Sequence, residues 1–507
     1  MAPANTRQIE KATVGGELEI CRMIVGLWQR AGNPDDNSDM ATAVSVMGKT
    51  IQNGLDTFDM ADHYGDAELI VGQHNQTEAG TSKKVSMTKW CPPENGVKTF
   101  ENAEAAVDLS LSRMKQDKIS LLQYHIWDYS DDTYLHNLSH LCTLQKQGKI
   151  GLLGLTNTNA AHLQLLLDSG FPISTNQVAV NVIDQRLTHG RMHKLCLERG
   201  VGILAYSTLL GGFLSEKWLG QSEPSDITKL DASKRKYLRF IWAAGGWEPF
   251  QVVLEALNTI AQRHGVKIAA VATRYVLDIP SVKAVIVGSR LARHSTDYID
   301  ANLEAFSLRL TEEDSALIAK AQQGLQEIPG DCGDEYRRAP FLTAAGDTSD
   351  HLKKVDRTKP VTDAIAMGKR VEFSSGSKWE PIAGYCRAVR IGNIIRISGT
   401  TANSTVDSMQ AIGGSSARSQ AVHIIDVIEN ALKSLGSSLA DVVRTRIMVR
   451  DEAMCEEVSL VHGSAFASVG VRPANTFVTA GLIGSEMLVE IEAEAEVGCS
   501  ANGVLSI

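Results

Sequence analysis

Between residues 19 and 290 the chain alternates short apolar runs with stretches whose apolar positions recur near a helical period. The runs are EICRMIVGLW, GLDTFDMA, KVSMTKW, ISLLQYHIW, IGLLGLTN, ISTNQVA, GILAYST and AVIVGS, and segments such as Glu101–Met114 and His162–Asp168 between them read as helices. Strands that alternate with helices imply parallel βαβ units, and eight such units imply an α/β fold closed as a (β/α)8 barrel. An open doubly wound sheet is the competing layout. It would carry GxGxxG after its first strand, and the first run lacks that motif.

The rhythm breaks between Asp331 and Lys378, a polar stretch poor in long apolar runs that reads as barrel tail and linker. From Trp379 a different pattern begins. YCRAVRIG and NIIRISG are two strands joined by a tight turn at Gly392-Asn393. Ser416 to Leu435 is a helix with Ile425, Ile428, Leu432 and Leu435 on one face and Gly436 as its stop. VVRTRIMV is a strand, Glu452–Ser468 a second helix, and NTFVTAGL and MLVEIEAEAEV are two further strands, giving a small α+β unit. The expected division is therefore 1–330 for the barrel, 331–377 for tail and linker, and 378–500 for the second domain.

Composition narrows the function classes. A chain of 507 residues exceeds what one core normally supports, which agrees with two domains. A net charge of −9 without a basic block argues against nucleic-acid binding. No apolar run is long enough to span a membrane, and the start lacks a signal-peptide core. The eight cysteines contain no CxxC pair, so neither a zinc site nor a disulfide framework is expected, and the protein is read as cytoplasmic with reduced thiols.

In a barrel, functional side chains collect where strands end. Those positions hold Asp59 with Tyr64 five residues later, then Lys89, His125, Thr156-Asn157, Asn176-Gln177, Tyr206-Ser207 and Gly288-Ser289-Arg290. Singly, each has a structural explanation; Asp59 would cap a helix, and a lone histidine more often bonds a neighbour than catalyses. Together their types suit carbonyl reduction. The forming alkoxide needs a proton, a tyrosine can donate it, and a nearby lysine cation favours the phenolate. A carboxylate would hold that lysine, and a histidine would orient the carbonyl oxygen. Trp28, Trp90 and Trp127 follow strands at the same rim, and Trp28 and Trp127 are the candidates for a substrate wall. The long segment between Phe213 and Phe250, with Trp218, Trp242 and Trp247, is a candidate cover.

GLDTFDMADHYGDAELIVG resembles the aldo-keto reductase signature, KVSMTKW that family's lysine strand and ISLLQYHIWD its histidine strand. GKIGLLGLTNTN, STNQVAVNV, GILAYSTLLGG and VKAVIVGSRL are similar to its cofactor-binding strands, in order, over residues 15 to 325. The resemblance implies a tetrad of Asp59, Tyr64, Lys89 and His125 with Tyr64 as general acid. It implies that Asn157 and Gln177 bind the nicotinamide carboxamide, with Thr156 in the slot usually held by serine. Tyr206 would stack on the ring, with Ser207 and Leu209 at the pyrophosphate. Gly288, Ser289 and Arg290 fall at the adenosine 2′-phosphate, so NADPH is the expected cofactor, and Arg293 and His294 are alternatives to Arg290. The expected partner is a small carbonyl compound, with specialised metabolism as the expected setting and no resident metal. An NADP-linked alcohol or sugar dehydrogenase running in the opposite direction, and a cofactor-sensing regulatory subunit, are the alternatives.

The C-terminal unit resembles the RidA/YjgF family, a chorismate-mutase-like fold of small enamine/imine deaminases that form trimers. AGYCRAVRIGNIIRISG, SLADVVRTRIMVRD and VRPANTFVTAGLIGSEMLVEIEAEAEV carry the likeness. The family's substrate-clamping arginine is replaced by Asn475, Ser459 stands where asparagine is usual, and Phe477 replaces a small polar or thiol residue, whereas Tyr385 and Glu490 remain. A neutral amide cannot form the bidentate clamp of a guanidinium. The unit is therefore expected to assemble a homo-oligomer, a trimer by analogy, or to hold another ligand. Deamination coupled to the barrel's chemistry is the reading that Asn475 weakens.

Overall fold

The computed structural model describes residues 9–31, 38–77, 84–92, 99–337, 359–406, 411–501 and 503–505. The first apolar run serves two sheets. β1 (Lys11–Val14) and β2 (Leu18–Cys21) pair as an antiparallel hairpin, and the run continues directly into β3 (Met23–Gly26), the first barrel strand. The remaining barrel strands are β4 (Thr57–Asp59), β5 (Val85–Trp90), β6 (Ile119–His125), β7 (Ile150–Thr156), β8 (Ile173–Ala179), β9 (Gly202–Tyr206) and β10 (Val282–Gly288). They are parallel and close in the order β10-β3-β4-β5-β6-β7-β8-β9. Helices including Met40–Gln52, Phe100–Met114 and Thr133–Lys146 form the outer layer.

Strands covered on both faces read as continuous apolar runs. Ile24, Met87, Leu121, Leu152, Leu204 and Ala284 form a buried cluster with Val14 and Ile20 of the hairpin. The upper ends of the same strands switch to polar side chains, which is where a site must lie.

The second unit is a six-stranded sheet ordered β11-β12-β13-β16-β14-β15. Its strands are β11 (Val371–Phe373), β12 (Ala388–Ile391), β13 (Ile394–Thr401), β14 (Val442–Val449), β15 (Ala474–Thr479) and β16 (Val489–Glu496). The alternation in VEIEAEAE places Val489, Ile491, Ala493 and Ala495 inward and their neighbours outward. β11 pairs with β12, so the sheet starts before the boundary expected at residue 378.

The two units share an apolar cluster. The helix Ala417–Ser434 lies between the sheet and the barrel's outer helix Ala160–Asp168, and 12 of its 18 residues are buried, more than one apolar face supplies. Ser419, Asp426 and Lys433, spaced by seven, form the stripe that faces the barrel. Ser419 Oγ donates to Asp168 (2.7 Å), Asp426 accepts from His162 Nε2 (2.9 Å), and Lys433 Nζ reaches Asp128 (3.2 Å) and Ser130 (3.0 Å). Gly414 lies so close that a Cβ there would stand 2.4 Å from the Asp168 carbonyl oxygen.

Candidate active site

Asp59 and Lys89 end neighbouring strands, and their side chains meet inside the barrel mouth. Lys89 Nζ donates to Asp59 Oδ2 (2.6 Å) and to the Met60 carbonyl (2.9 Å), with the two side chains 3% and 5% exposed. Asp59 Oδ1 accepts from Gln123 (2.8 Å) and Gln177 (2.9 Å), and Gln177 also donates to Gln123 Oε1 (2.8 Å). Every carboxylate oxygen is thus hydrogen-bonded, the condition under which a buried pair is tolerated. The Lys89 ammonium lies 5.1 Å from the centre of the Tyr64 ring.

His125, at the end of β6, is buried and stacks on Trp127, ring centres 3.9 Å apart. Burial, reinforced by the nearby cations Arg337 and Lys89 and by His63, holds its pKa well below the usual imidazole range. It is therefore neutral at physiological pH, a hydrogen-bonding group rather than a cation. Asn157 follows β7 with φ +54°, a left-handed conformation that asparagine tolerates better than most residues. Its amide lies between the Tyr206 hydroxyl, which donates to Oδ1 (2.8 Å), and His125 Nε2 (3.3 Å from Nδ2).

Of the site residues expected from sequence, Trp28, Asp59, Tyr64, Lys89, His125, Trp127, Thr156, Asn157, Gln177, Tyr206, Ser207, Leu209, Gly288, Ser289 and Arg290 line one cavity of about 400 Å³, whereas Asn176 and Arg293 do not. His294 lines it as well. Trp90 does not; it is buried against Tyr124 in the core. The tryptophans of the long segment do not cover the site either. Trp218 and Trp247 pack with Phe213 and Phe250, and Trp242 is exposed. The cover comes from the helix Ala232–Ala243 and its cap, through Asp231, Ser233, Lys234, Lys236 and Tyr237.

A second cover was hidden in the segment read as linker. Residues 331–337 cross the barrel mouth as a strap. Tyr336 packs edge-on to His125 and Trp127, and its hydroxyl lies 3.4 Å from that of Tyr206. Arg337 donates to the carbonyls of Ile126, Asn157 and Gly333, with its guanidinium 4.3 Å from the Tyr129 ring centre. Glu335 is buried in an ion pair with Arg186 (2.8 Å), whose cation holds its carboxyl below the usual range despite burial. Gly333 (φ +91°) allows the approach, since a Cβ there would stand 2.1 Å from the Asn157 carbonyl oxygen.

The cavity fits a dinucleotide. Amide and aromatic groups (Asn157, Gln177, Tyr206) gather at the catalytic end, and cations (Arg290, Lys234) line the wall at the β10 side. Among the described residues the buried Trp28 Nε1 and Gln29 Oε1 on its wall have no hydrogen-bond partner, as a polar ligand would require. Residues 22–323 match the family model described as Aldo/keto reductase family.

The chain belongs to the aldo/keto reductase family. It is an oxidoreductase of carbonyl groups, from a family that generally uses NAD(P)H. It is 26% identical over 339 residues to an aldo-keto reductase of Strobilurus tenacellus, a match covering 65% of this chain and 95% of that protein. The glycerol dehydrogenase of Gluconobacter oxydans shares the fold, with TM-score 0.50 and 20% identity over 65% of this chain and 98% of that one. Residues 376–497 match the model described as Endoribonuclease L-PSP, the RidA/YjgF domain. A YjgF-family protein of Mycobacterium tuberculosis is 42% identical, covering 25% of this chain and all of that one, with TM-score 0.23.

In this second domain Asn475 is exposed, and its amide donates to Thr445 Oγ1 (2.9 Å), which in turn meets His462 Nε2 (3.0 Å). Glu490 is half-buried, and burial with the neighbouring Glu492 raises its pKa. Tyr385 is exposed, with the Arg387 guanidinium 5.8 Å from its ring centre. Among the described residues no helix is long and apolar enough to cross a membrane.

Proposed function

We propose that the barrel reduces an aldehyde or ketone to the alcohol with NADPH, Tyr64 donating the proton. The observation that carries this reading is the buried Asp59–Lys89 pair beside the Tyr64 ring, at the mouth of the one cavity that gathers most of the other expected site residues. When bound, the reduced nicotinamide supplies the hydride.

The chain's own residues supply the rest. Asp59 holds the Lys89 ammonium in place. That cation favours the phenolate and so eases loss of the Tyr64 proton to the carbonyl oxygen. Neutral His125 orients that oxygen by hydrogen bonding and stabilises the charge it gains. Asn157 and Gln177 would hold the carboxamide, and Tyr206 the ring. Ser207 and Leu209 would meet the pyrophosphate, and Ser289 and Arg290 the 2′-phosphate that distinguishes NADPH from NADH. Trp28 and Trp127 wall the substrate. In the oxidative direction Tyr64 takes the proton back.

The second domain would assemble the protein into a homo-oligomer. Its outer sheet face, where Arg396, Arg444, Arg446 and Glu494 are exposed, lies opposite the helix docked on the barrel.

The test is equilibrium binding of NADPH and NADH by nicotinamide fluorescence, followed by turnover of aldehydes and ketones, with Tyr64→Phe alongside. Tight NADPH binding with turnover lost in the variant supports the reading. Binding without turnover, unchanged by the substitution, would support a cofactor-sensing subunit instead.

A further inference from the structure

The strap across the barrel mouth is fastened to the same helix on which the second domain docks. At the start of the helix Ala160–Asp168, the Ala160 amide donates to Asp331 Oδ2 (2.7 Å), and Asn159 Nδ2 donates to Asp334 Oδ1 (3.3 Å). Asn159 is also the helix cap. Its Oδ1 accepts from the His162 amide (3.0 Å) and lies 2.8 Å from His162 Nδ1. The other ring nitrogen, Nε2, donates to Asp426 of the second domain (2.9 Å). The His162 ring stacks on Tyr129, with ring centres 3.4 Å apart and planes 6° from parallel, and the Arg337 guanidinium packs on that same tyrosine. One buried histidine therefore touches the second domain through Nε2 and reaches the strap by two routes, Asn159 to Asp334 and Tyr129 to Arg337.

The strap in turn holds the site. Arg337 donates to the carbonyl of Ile126, which stands between His125 and Trp127, and to that of Asn157. The Tyr206 hydroxyl, which donates to Asn157, lies 3.3 Å from Glu335 Oε1. The position of residues 331–337 thus bears on the backbone at His125 and on the groups expected to hold the nicotinamide. Replacing the Asp426 carboxylate by a methyl group removes the contact that orients the His162 ring from outside the barrel, and with it a support of both routes.

We infer that Asp426 and His162 are positioning residues through which the second domain fastens the strap over the active site, and that this fastening sets how long the dinucleotide stays bound. The statement about the dinucleotide rests on the reductase reading; the fastening does not.

The experiment is hydrogen exchange on the full-length protein. The amides of Asp331, Cys332, Gly333, Asp334, Tyr336 and Arg337 donate within the strap and report its opening, with β6 as internal reference. Asp426→Ala should speed exchange of the strap ~10-fold and leave β6 unchanged. Asp426→Asn, which keeps an acceptor for Nε2, should restore most of the protection. Ser419→Ala breaks the contact to Asp168 at the far end of the same helix and should leave the strap at the wild-type rate. Strap exchange unchanged in Asp426→Ala, or raised equally in Ser419→Ala, overturns the fastening. Stopped-flow release of NADPH should be ~10-fold faster in Asp426→Ala and unchanged in Ser419→Ala, because whatever holds the strap over the cofactor opposes its exit. An unchanged release rate with a loosened strap overturns the link to the cofactor. In the wild type, NADPH should slow exchange in the helix Ala417–Ser434, since coupling between two sites is reciprocal. An indifferent helix overturns that link without any substitution. If NADPH does not bind at all, the reductase reading falls, and strap exchange in the variants still decides the fastening.

Discussion

The barrel mouth and the second domain's sheet each carry a cation paired with a carboxylate on neighbouring strands. Lys89 and Asp59 lie 2.6 Å apart with side chains 3% and 5% exposed. Arg446 and Glu492 lie 2.8 Å apart at 44% and 40% exposed. The geometry is nearly the same and the medium differs. Water screens the second pair almost completely, whereas the first keeps a strong field directed at Tyr64. The same contrast separates the candidate catalytic groups. His125 is buried and held neutral, while Asn475 stands exposed and binds Thr445 within its own sheet. What makes a polar cluster chemically capable here is exclusion of water, supplied by the strap and the cover helix.

The sharpest way to break the comparison is to remove one cation from each pair. Lys89→Met leaves Asp59 charged and buried, and should destabilise the barrel by about 3–5 kcal/mol in urea unfolding. Arg446→Met should cost at most ~1 kcal/mol in the same assay. Equal losses would mean that burial does not separate the two sites.

The strap supplies the next test. Asp331 is half-buried beside Asp334 while accepting from the Ala160 amide, and desolvation raises its pKa from 3.8 to about 6. The folded state therefore favours the protonated acid. Its contribution is fully present below pH 3.8 and is lost as pH rises to about 6, a change of about 3 kcal/mol. Asp331→Asn should flatten the stability profile across that window, as followed by thermal unfolding against pH.

A smaller effect concerns the cofactor. Arg290→Met should weaken NADPH binding about 10–100-fold and leave NADH nearly unchanged, read by fluorescence titration. The smallest lies at the junction of the domains. Asp426→Asn removes the charge from the His162 contact but keeps an acceptor, and should lower stability by about 1 kcal/mol without altering turnover.

Much of this architecture was legible in the sequence because barrel strands announce themselves by apolar runs, and their polar ends mark the rim. Asp59, Lys89, His125 and Asn157 each stand where an apolar run turns polar. The strap was not legible. Residues 331–337 carry no periodicity, and their polar composition is that of a linker; they are ordered by long-range contacts with Arg186, Asn157 and Ile126. Lys236 was hidden for a related reason, since a lysine in the run SKRKYLRF reads as part of a solvated helix face. The stripe of Ser419, Asp426 and Lys433 likewise reads as solvent-facing, yet it docks on the barrel. Gln123 left a signal that could have been used, a single amide inside the apolar run ISLLQYH, where a buried polar side chain must find a partner.

The central claim is hydride transfer inside the barrel with Tyr64 as proton donor. NADPH deuterated at the transferring position of the nicotinamide, incubated with the full-length protein and a panel of aldehydes and ketones, tests it most directly when the alcohol is analysed by mass. The account predicts one deuterium on the former carbonyl carbon and a rate about 10³-fold lower in Tyr64→Phe. An unlabelled alcohol, no alcohol at all, or an equal rate in the variant would contradict it.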